Sequence, residues 1–125
     1  HWEEGLASSL KCGLGTVPPS ADGAMIVLGD QVRVTRDDLS RLLAAWRGQE
    51  HMIAAAAYER TIGVPAIFPR AYFPELAELR GDEGARKVLR RNVDHVVRVP
   101  MPNAAFDLDT PEDLRALTTN FTNEA

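Results

Sequence analysis

The sequence contains one cysteine, Cys12, among its 125 residues. A single thiol forms no disulfide within the chain, and it excludes a Cys-based zinc site because such sites need several thiolates. Basic residues are in the minority, since 14 Lys and Arg stand against 18 Asp and Glu for a formal net charge of −4. This balance argues against a nucleic-acid partner, because phosphate backbones bind to basic surfaces. No apolar run approaches the length of a bilayer crossing, so we expect a soluble cytoplasmic domain without a membrane partner.

Two common phosphate-binding motifs are also absent from the chain. It has neither a P-loop nor a G-x-G-x-x-G sequence, each of which presents backbone N–H groups to phosphates. The remaining composition is ordinary, with 45% hydrophobic and 26% charged residues. Length and composition therefore fit one globular domain.

Apolar runs and helical patterns alternate along the chain, which indicates an α/β fold. Residues 24–28 form a continuous apolar run, as expected for a strand of a parallel sheet that helices cover on both faces. Thr35 and Asp38 have the spacing of a capping box at the start of an apolar-striped helix. This strand-then-helix order predicts βαβ units. We also predict a helix over 3–14 and three further helices that begin near Pro74, Asp82 and Thr110. Strands are predicted at 52–58, 66–68 and 96–99, with a turn at 63–65. The domain is expected to span residues 1–117, followed by a polar, frayed tail at 118–125.

Acidic residues follow two of the apolar stretches, where open α/β sheets bind their ligands. Asp30 comes just after the first predicted strand, and Asp107 and Asp109 flank Leu108 ahead of the last predicted helix. Alternation in an extended segment puts Asp107 and Asp109 on one side. Carboxylates from two strand ends could hold Mg²⁺ between them, since this cation prefers one or two carboxylates plus water and phosphate oxygens. Alternatively, Asp30 opens a turn and Asp107 or Asp109 ends a strand, as Asp often does in loops.

A glycine-flanked segment, 81–86, is a second candidate for ligand binding. Its two glycines surround a predicted helix start, where backbone N–H groups can bind an anion. Arg86 could add a charged fork for a phosphate. The alternative is an ordinary turn between helices with a solvent-exposed arginine. The only basic cluster, at 86–91, is better explained as a solvated helix face, because no aromatic residues are interleaved with it.

Five short motifs follow one another in a fixed order along the chain. They are Trp2-Glu3-Glu4-Gly5-Leu6-Ala7-Ser8-Ser9-Leu10, Ile26-Val27-Leu28-Gly29-Asp30-Gln31, Gly63-Val64-Pro65-Ala66-Ile67-Phe68, Gly81-Asp82-Glu83-Gly84-Ala85-Arg86 and Asp107-Leu108-Asp109-Thr110-Pro111-Glu112-Asp113-Leu114. In this order they resemble the MobA-like NTP transferases, in particular the molybdenum-cofactor cytidylyltransferase branch. The resemblance extends from Trp2 to about Leu117.

The resemblance implies a three-layer α/β/α fold with a mixed sheet, related to glycosyltransferase-A domains. It implies nucleotidyl transfer, in which a phosphate of an acceptor such as molybdopterin attacks the α-phosphorus of CTP or GTP and pyrophosphate leaves. The same resemblance implies Mg²⁺ as the cofactor, and it implies which residues bind the metal, the nucleotide and the acceptor. These are Asp30, Asp107 and Asp109 for the metal, with Asp30 and Asp109 catalytic; Gly5, Ser8 and Ser9 for the nucleotide; and Gly63, Pro65, Gly81, Asp82, Gly84 and Arg86 for the acceptor.

The sequence departs from the family pattern in two places. Val32 stands where the family has a proline, which alters only a loop. The family's first strand and its Gly-rich triphosphate loop would lie before His1, so we expect the later two-thirds of a domain with an apolar groove that favours self-association into a homo-oligomer. Two other functions stay open: a non-catalytic nucleotide-binding or regulatory module, and a nucleotide-sugar pyrophosphorylase or glycosyltransferase of the same fold.

Overall fold

The computed structural model describes residues 10–28, 33–47, 49–80 and 84–105 in full, and the backbone of residues 116–121. Residues 10–15 are helical and belong to helix α1. The other elements are β1 (Gly23–Leu28), α2 (Arg36–Trp46), β2 (Ile53–Tyr58), β3 (Thr61–Pro69), α3 (Phe73–Ala77), α4 (Ala85–Arg91), β4 (Val96–Pro100) and β5 (Ala116–Phe121). None of the helices described here is long and apolar enough to span a membrane.

The described strands form one mixed sheet in the order β4-β2-β3-β1-β5. β2 and β4 are parallel, whereas β1 is antiparallel to both of its neighbours, β3 and β5. The prediction of a β1 strand is confirmed, but the parallel environment expected for it is wrong. A continuous apolar run reports only that both faces of a strand are covered, and helices cover an antiparallel strand equally well.

Helices cover both faces of this sheet and define two hydrophobic clusters. On one face, Leu10 of α1, Leu76 of α3 and Val88 of α4 pack against the sheet. On the other face, Leu42 and Trp46 of α2 pack on it, and the Trp46 indole donates to the Met52 carbonyl at 3.0 Å. The predicted three-layer α/β/α architecture is therefore confirmed.

The turn predicted at 63–65 is wrong, because these residues lie inside β3. The hairpin between β2 and β3 turns at Glu59 and Arg60, whose φ angles are 49° and 64°. Ala55 pairs with Ala66 while Ala56 pairs with Gly63, so the register shifts around residues 64 and 65. A bulge of this kind explains how β3 accommodates Pro65, which has no backbone N–H to donate to a ladder.

Two further predictions about chain segments need correction. Helix α4 begins at Ala85 with Gly84 as its N-cap and no side-chain cap, so Asp82 is not its cap. The predicted helix from Thr110 was expected to include Leu117, and a frayed tail was expected from Thr118; instead, residues 116–121 form β5 along the edge of β1. The β-branched pair Thr118-Thr119 suits a strand, and pairing satisfies backbone groups that would otherwise remain at the edge of β1.

Candidate functional site

Three strands end at the same edge of the sheet. β1, β2 and β4 run in one direction, so Leu28, Tyr58 and Pro100 all lie at this edge, which we call the carboxyl edge. β5 runs in the opposite direction and begins there, because its first residue, Ala116, pairs with Leu28. The last residue of β1 and the first residue of β5 are therefore neighbours at the carboxyl edge. Ligands of open α/β sheets bind beyond such carboxyl ends.

Most of the residues predicted for the site lie outside the described residues. They include the three candidate metal ligands, Asp30, Asp107 and Asp109, the nucleotide residues Gly5, Ser8 and Ser9, and the acceptor residues Gly81 and Asp82. Four predicted acceptor residues are described: Gly63, Pro65, Gly84 and Arg86. Of these, the structure brings Gly63 and Arg86 together, whereas Pro65 is buried in β3 and Gly84 is the N-cap of α4.

Gly63 and Arg86 meet at a third residue, Tyr58, which the sequence analysis did not single out. The exposed Arg86 donates from Nη2 to the Tyr58 hydroxyl at 3.1 Å. A Cβ on Gly63 would collide with the Tyr58 hydroxyl and would lie 3.2 Å from Arg86 Nη2. The absence of a side chain at Gly63 is thus what lets the tyrosine hold the guanidinium over β3. The sequence feature that could have indicated Tyr58 is its place as an aromatic residue at the carboxyl end of the alanine-rich strand β2.

A second polar group connects two segments at the carboxyl edge. Asp38 of α2 is 5% exposed, and its Oδ2 accepts hydrogen bonds from the Thr35 N–H at 2.9 Å and from Asn103 Nδ2 at 2.9 Å. Its Oδ1 accepts from Arg41 Nη2 at 2.6 Å, and Arg41 Nη1 donates to the Pro100 carbonyl at 3.2 Å. The predicted capping box is confirmed, because the Asp38 N–H also donates to Thr35 Oγ1 at 3.1 Å.

These hydrogen bonds set the charge state of Asp38. The hydrogen bonds from Asn103 and from the Thr35 backbone lower the pKa of this carboxyl from 3.8 to about 2, against the opposing effect of burial. Arg41 contributes further in the same direction. Asp38 is therefore an ionised carboxylate near neutral pH whose oxygens are already occupied by donors. It is a structural anion rather than a free metal ligand.

Comparison with known proteins identifies the family. The sequence profile of the MobA-like NTP transferase domain matches residues 1–96. The chain belongs to this family. The purine catabolism protein PucB of Bacillus subtilis strain 168 is 30% identical over 115 residues, which cover 89% of this chain and 55% of PucB.

Solved structures of mycobacterial proteins have the same fold. Rv0371c from Mycobacterium tuberculosis H37Rv matches with a TM-score of 0.66 and 33% identity, over 77% of this chain and 50% of that one. Its homologue from Mycobacterium sp. strain JC1 matches with a TM-score of 0.65 and 35% identity, over 78% and 48%. The chain thus spans about half the length of the relatives it matches.

The family comparison bears on metal use. A complex of Rv0371c with manganese matches with a TM-score of 0.64 and 32% identity, over 74% of this chain and 49% of that one. This is consistent with a divalent cation in the family. Within the described part of this chain, no group of three or more His, Cys, Asp or Glu side chains could hold a metal. The prediction of Asp30, Asp107 and Asp109 as metal ligands concerns residues outside the described ranges.

Proposed function

We propose that this MobA-like domain takes part in Mg²⁺-dependent transfer of CMP or GMP from CTP or GTP to a phosphorylated small molecule such as molybdopterin. An oxygen of the acceptor phosphate attacks the α-phosphorus of the nucleotide, the bond to the β-phosphate breaks, and pyrophosphate leaves. The observation that carries the proposal is the pairing of Leu28 with Ala116 at the carboxyl edge. It supports a meeting of the segments that bear Asp30 and Asp109.

The proposed metal ligands are Asp30, Asp107 and Asp109, with Asp30 and Asp109 closest to the chemistry. Asp30 lies two positions after the end of β1, and the segment bearing Asp107 and Asp109 runs from the described residue Ala105 to the start of β5. Bound Mg²⁺ would neutralise charge on the nucleotide phosphates and hold them for in-line attack. The carboxylates fit this cation, because Mg²⁺ favours oxygen ligands together with substrate phosphates.

Arg86 is proposed to bind the acceptor phosphate. Arg86 is exposed at the carboxyl edge, and its guanidinium donates to the Tyr58 hydroxyl, which lies over Gly63 because that residue has no side chain. A guanidinium forms charge-assisted, bidentate hydrogen bonds with a phosphate. Holding the acceptor in one orientation is the main protein contribution that phosphoryl-type transfer needs, because little covalent catalysis is required. Gly5, Ser8 and Ser9 remain the proposed contacts of the nucleotide, and Pro65, Gly81, Asp82 and Gly84 the other acceptor residues.

The test measures pyrophosphate release by the complete encoded protein, with CTP or GTP, Mg²⁺ and a panel of phosphorylated acceptors. We expect Asp30→Ala to reduce release by at least about a hundredfold, as expected when a group that organises the transition-state charge is removed. Asp94→Ala is the matched control, because Asp94 is an exposed carboxylate beside the start of β4, at the opposite edge of the sheet. Unchanged activity of Asp30→Ala would remove Asp30 from the reaction.

The same panel separates the proposal from its alternatives. Inclusion of sugar 1-phosphates tests a nucleotide-sugar pyrophosphorylase of the same fold, and a preference for them would replace the molybdopterin-like acceptor. Calorimetry with CTP and GTP tests a non-catalytic module. Nucleotide binding without pyrophosphate release for any acceptor would favour that module over a transferase.

A further inference from the structure

Arg86 and Tyr58 meet across the carboxyl edge from opposite faces of the sheet. The half-buried Tyr58 packs against the hydrophobic cluster on the α2 side, whereas α4, which carries Arg86, packs into the cluster on the other side. Tyr58 is the last residue of β2, and Arg86 is the second residue of α4. The hydrogen bond of 3.1 Å from Arg86 Nη2 to the Tyr58 hydroxyl therefore passes over the strand ends, where ligands of such sheets bind.

This hydrogen bond leaves both partners with further donors. The Tyr58 hydroxyl accepts from Arg86, so its own proton is available for a second hydrogen bond. Among the described residues, the structure gives that proton no acceptor. A guanidinium carries several N–H donors, and the bond to Tyr58 uses a single one of them. The two side chains together therefore present a set of hydrogen-bond donors at the carboxyl edge.

The positive charge of Arg86 is not neutralised by the described part of the chain. No carboxylate among the described residues lies within ion-pair distance of this exposed side chain. By contrast, Arg41 is paired with the Asp38 carboxylate at 2.6 Å, and Arg70 donates to the Ala21 carbonyl at 2.7 Å. An exposed guanidinium beside a hydroxyl donor is suited to an anion that accepts several hydrogen bonds, and a phosphate is such an anion.

We propose that Tyr58 is a second phosphate-binding residue beside Arg86. Its hydroxyl donates a hydrogen bond to the same phosphate that the guanidinium binds, because the terminal oxygens of a phosphomonoester can accept from both side chains at once. Gly63 makes this possible, since a Cβ there would collide with the Tyr58 hydroxyl. The inference rests on the proposed function in one respect, namely that the phosphate belongs to the acceptor rather than to the nucleotide.

The decisive variant is Tyr58→Phe, which removes the hydroxyl and keeps the ring that packs on the α2 side. The probe is inorganic phosphate, titrated into the complete encoded protein and followed by nuclear magnetic resonance of the phosphorus nucleus. We expect the Kd for phosphate to rise by about tenfold or more, because hydrogen bonds to charged groups are among the stronger ones in proteins. The KM for the phosphorylated acceptor should rise by a similar factor, with the KM for the nucleotide unchanged.

Tyr72→Phe is the matched control for the loss of a tyrosine hydroxyl. Tyr72 is also half-buried, and its hydroxyl donates to the His51 carbonyl at 2.9 Å. His51 lies two positions before the start of β2, so this hydrogen bond is at the opposite edge of the sheet from Tyr58. We expect Tyr72→Phe to lower the Tm without changing the Kd for phosphate. Equal weakening by Tyr58→Phe and Tyr72→Phe would indicate general destabilisation and overturn the inference.

A double substitution separates direct donation by Tyr58 from mere positioning of Arg86. Arg86→Lys keeps the positive charge but removes the guanidinium that Tyr58 holds. If the Tyr58 hydroxyl donates to the phosphate itself, adding Tyr58→Phe to Arg86→Lys weakens phosphate binding further. The same Kd for Arg86→Lys with and without Tyr58→Phe would overturn direct donation.

The outcomes also separate this inference from the proposed function. If Tyr58→Phe weakens phosphate binding but no phosphorylated acceptor supports pyrophosphate release, the phosphate site stands and the proposed function fails. If Tyr58→Phe binds phosphate as the unmodified protein does, while Arg86→Ala raises the KM for the acceptor, the inference is wrong and the proposed function stands. If Tyr58→Phe raises the KM for the nucleotide alone, the bound phosphate is the nucleotide's and the inference is overturned.

Discussion

Replacement of Asp38 by Asn tests how this buried carboxylate contributes to folding. The amide keeps the size of the side chain, and its one oxygen can still accept from Thr35 and Asn103. Its NH₂ group must then face Arg41, where a charge-assisted hydrogen bond at 2.6 Å is replaced by two opposed donors. The variant therefore removes the negative charge and the attraction to Arg41 without opening a cavity.

The pKa of Asp38 gives the size of the effect. Lowering this pKa from 3.8 to about 2 on folding corresponds to about 2 kcal/mol of stability at neutral pH. The Arg41 side chain is 49% exposed, so solvent screens its share, and we expect about 1–2 kcal/mol. Because the pKa is lower in the folded state, this stability is fully present above pH 4 and is lost as the pH falls towards 2. About half should remain at pH 3.

The assay is urea unfolding of the chain and of Asp38→Asn at several pH values between 3 and 7. The difference in the free energy of unfolding should be largest at pH 5–7 and shrink as the pH approaches 3. Asp37→Asn is the control, because Asp37 is an exposed carboxylate in the same first turn of α2. It should change stability by less than about 0.5 kcal/mol. A difference for Asp38→Asn that is constant from pH 3 to 7 would refute the assigned pKa and its cause.

Two glycine substitutions test close approaches in the sheet. Gly23→Ala places a Cβ 2.7 Å from the Phe68 carbonyl oxygen, so the backbone of β3 must shift. We expect the free energy of unfolding, measured in urea, to fall by about 1–3 kcal/mol. Gly15→Ala is the control and should leave it unchanged, because a Cβ at Gly15 would have no atom within 4 Å. Gly63→Ala displaces the far end of Tyr58, so stability should change little while the KM for the phosphorylated acceptor rises about tenfold and that for the nucleotide is unchanged. Equal changes in both KM values would contradict the acceptor assignment.

The elements that the sequence predicted correctly are those with strong local signals. The apolar run of β1 lies between turn residues, and the capping box of Thr35 and Asp38 marks the start of α2 within one residue. The signal for β2 was weaker, because its four alanines favour a helix. Its position after a helix and before a predicted turn favoured a strand, and the strand is confirmed. Each of these signals lies within about ten residues of chain.

The elements that were predicted wrongly depend on distant contacts or on rare backbone geometry. The hairpin at Glu59 and Arg60 needs positive φ at both positions, which Asn and Gly signal and Glu and Arg do not. The true turn was therefore missed, and Gly63 and Pro65 attracted the prediction instead. Leu117 fitted a helical spacing, but its strand is set by pairing with Val27, some ninety positions earlier in the chain.

The expected clustering of strand ends at one edge has a different physical origin from the one assumed. The sequence argument relied on parallel strands, yet β3 lies between β2 and β1 and is antiparallel to both. Two successive reversals restore the original direction, so β1 and β2 still end together. The location of Asp30 beyond this edge stays a prediction that follows from the topology.

The hydrogen bond from Asn103 to Asp38 had no comparable sequence signal, because a single amide donor acting across 65 positions produces no periodicity and no spacing. Only a folded chain shows that the segments after β1 and after β4 are held together.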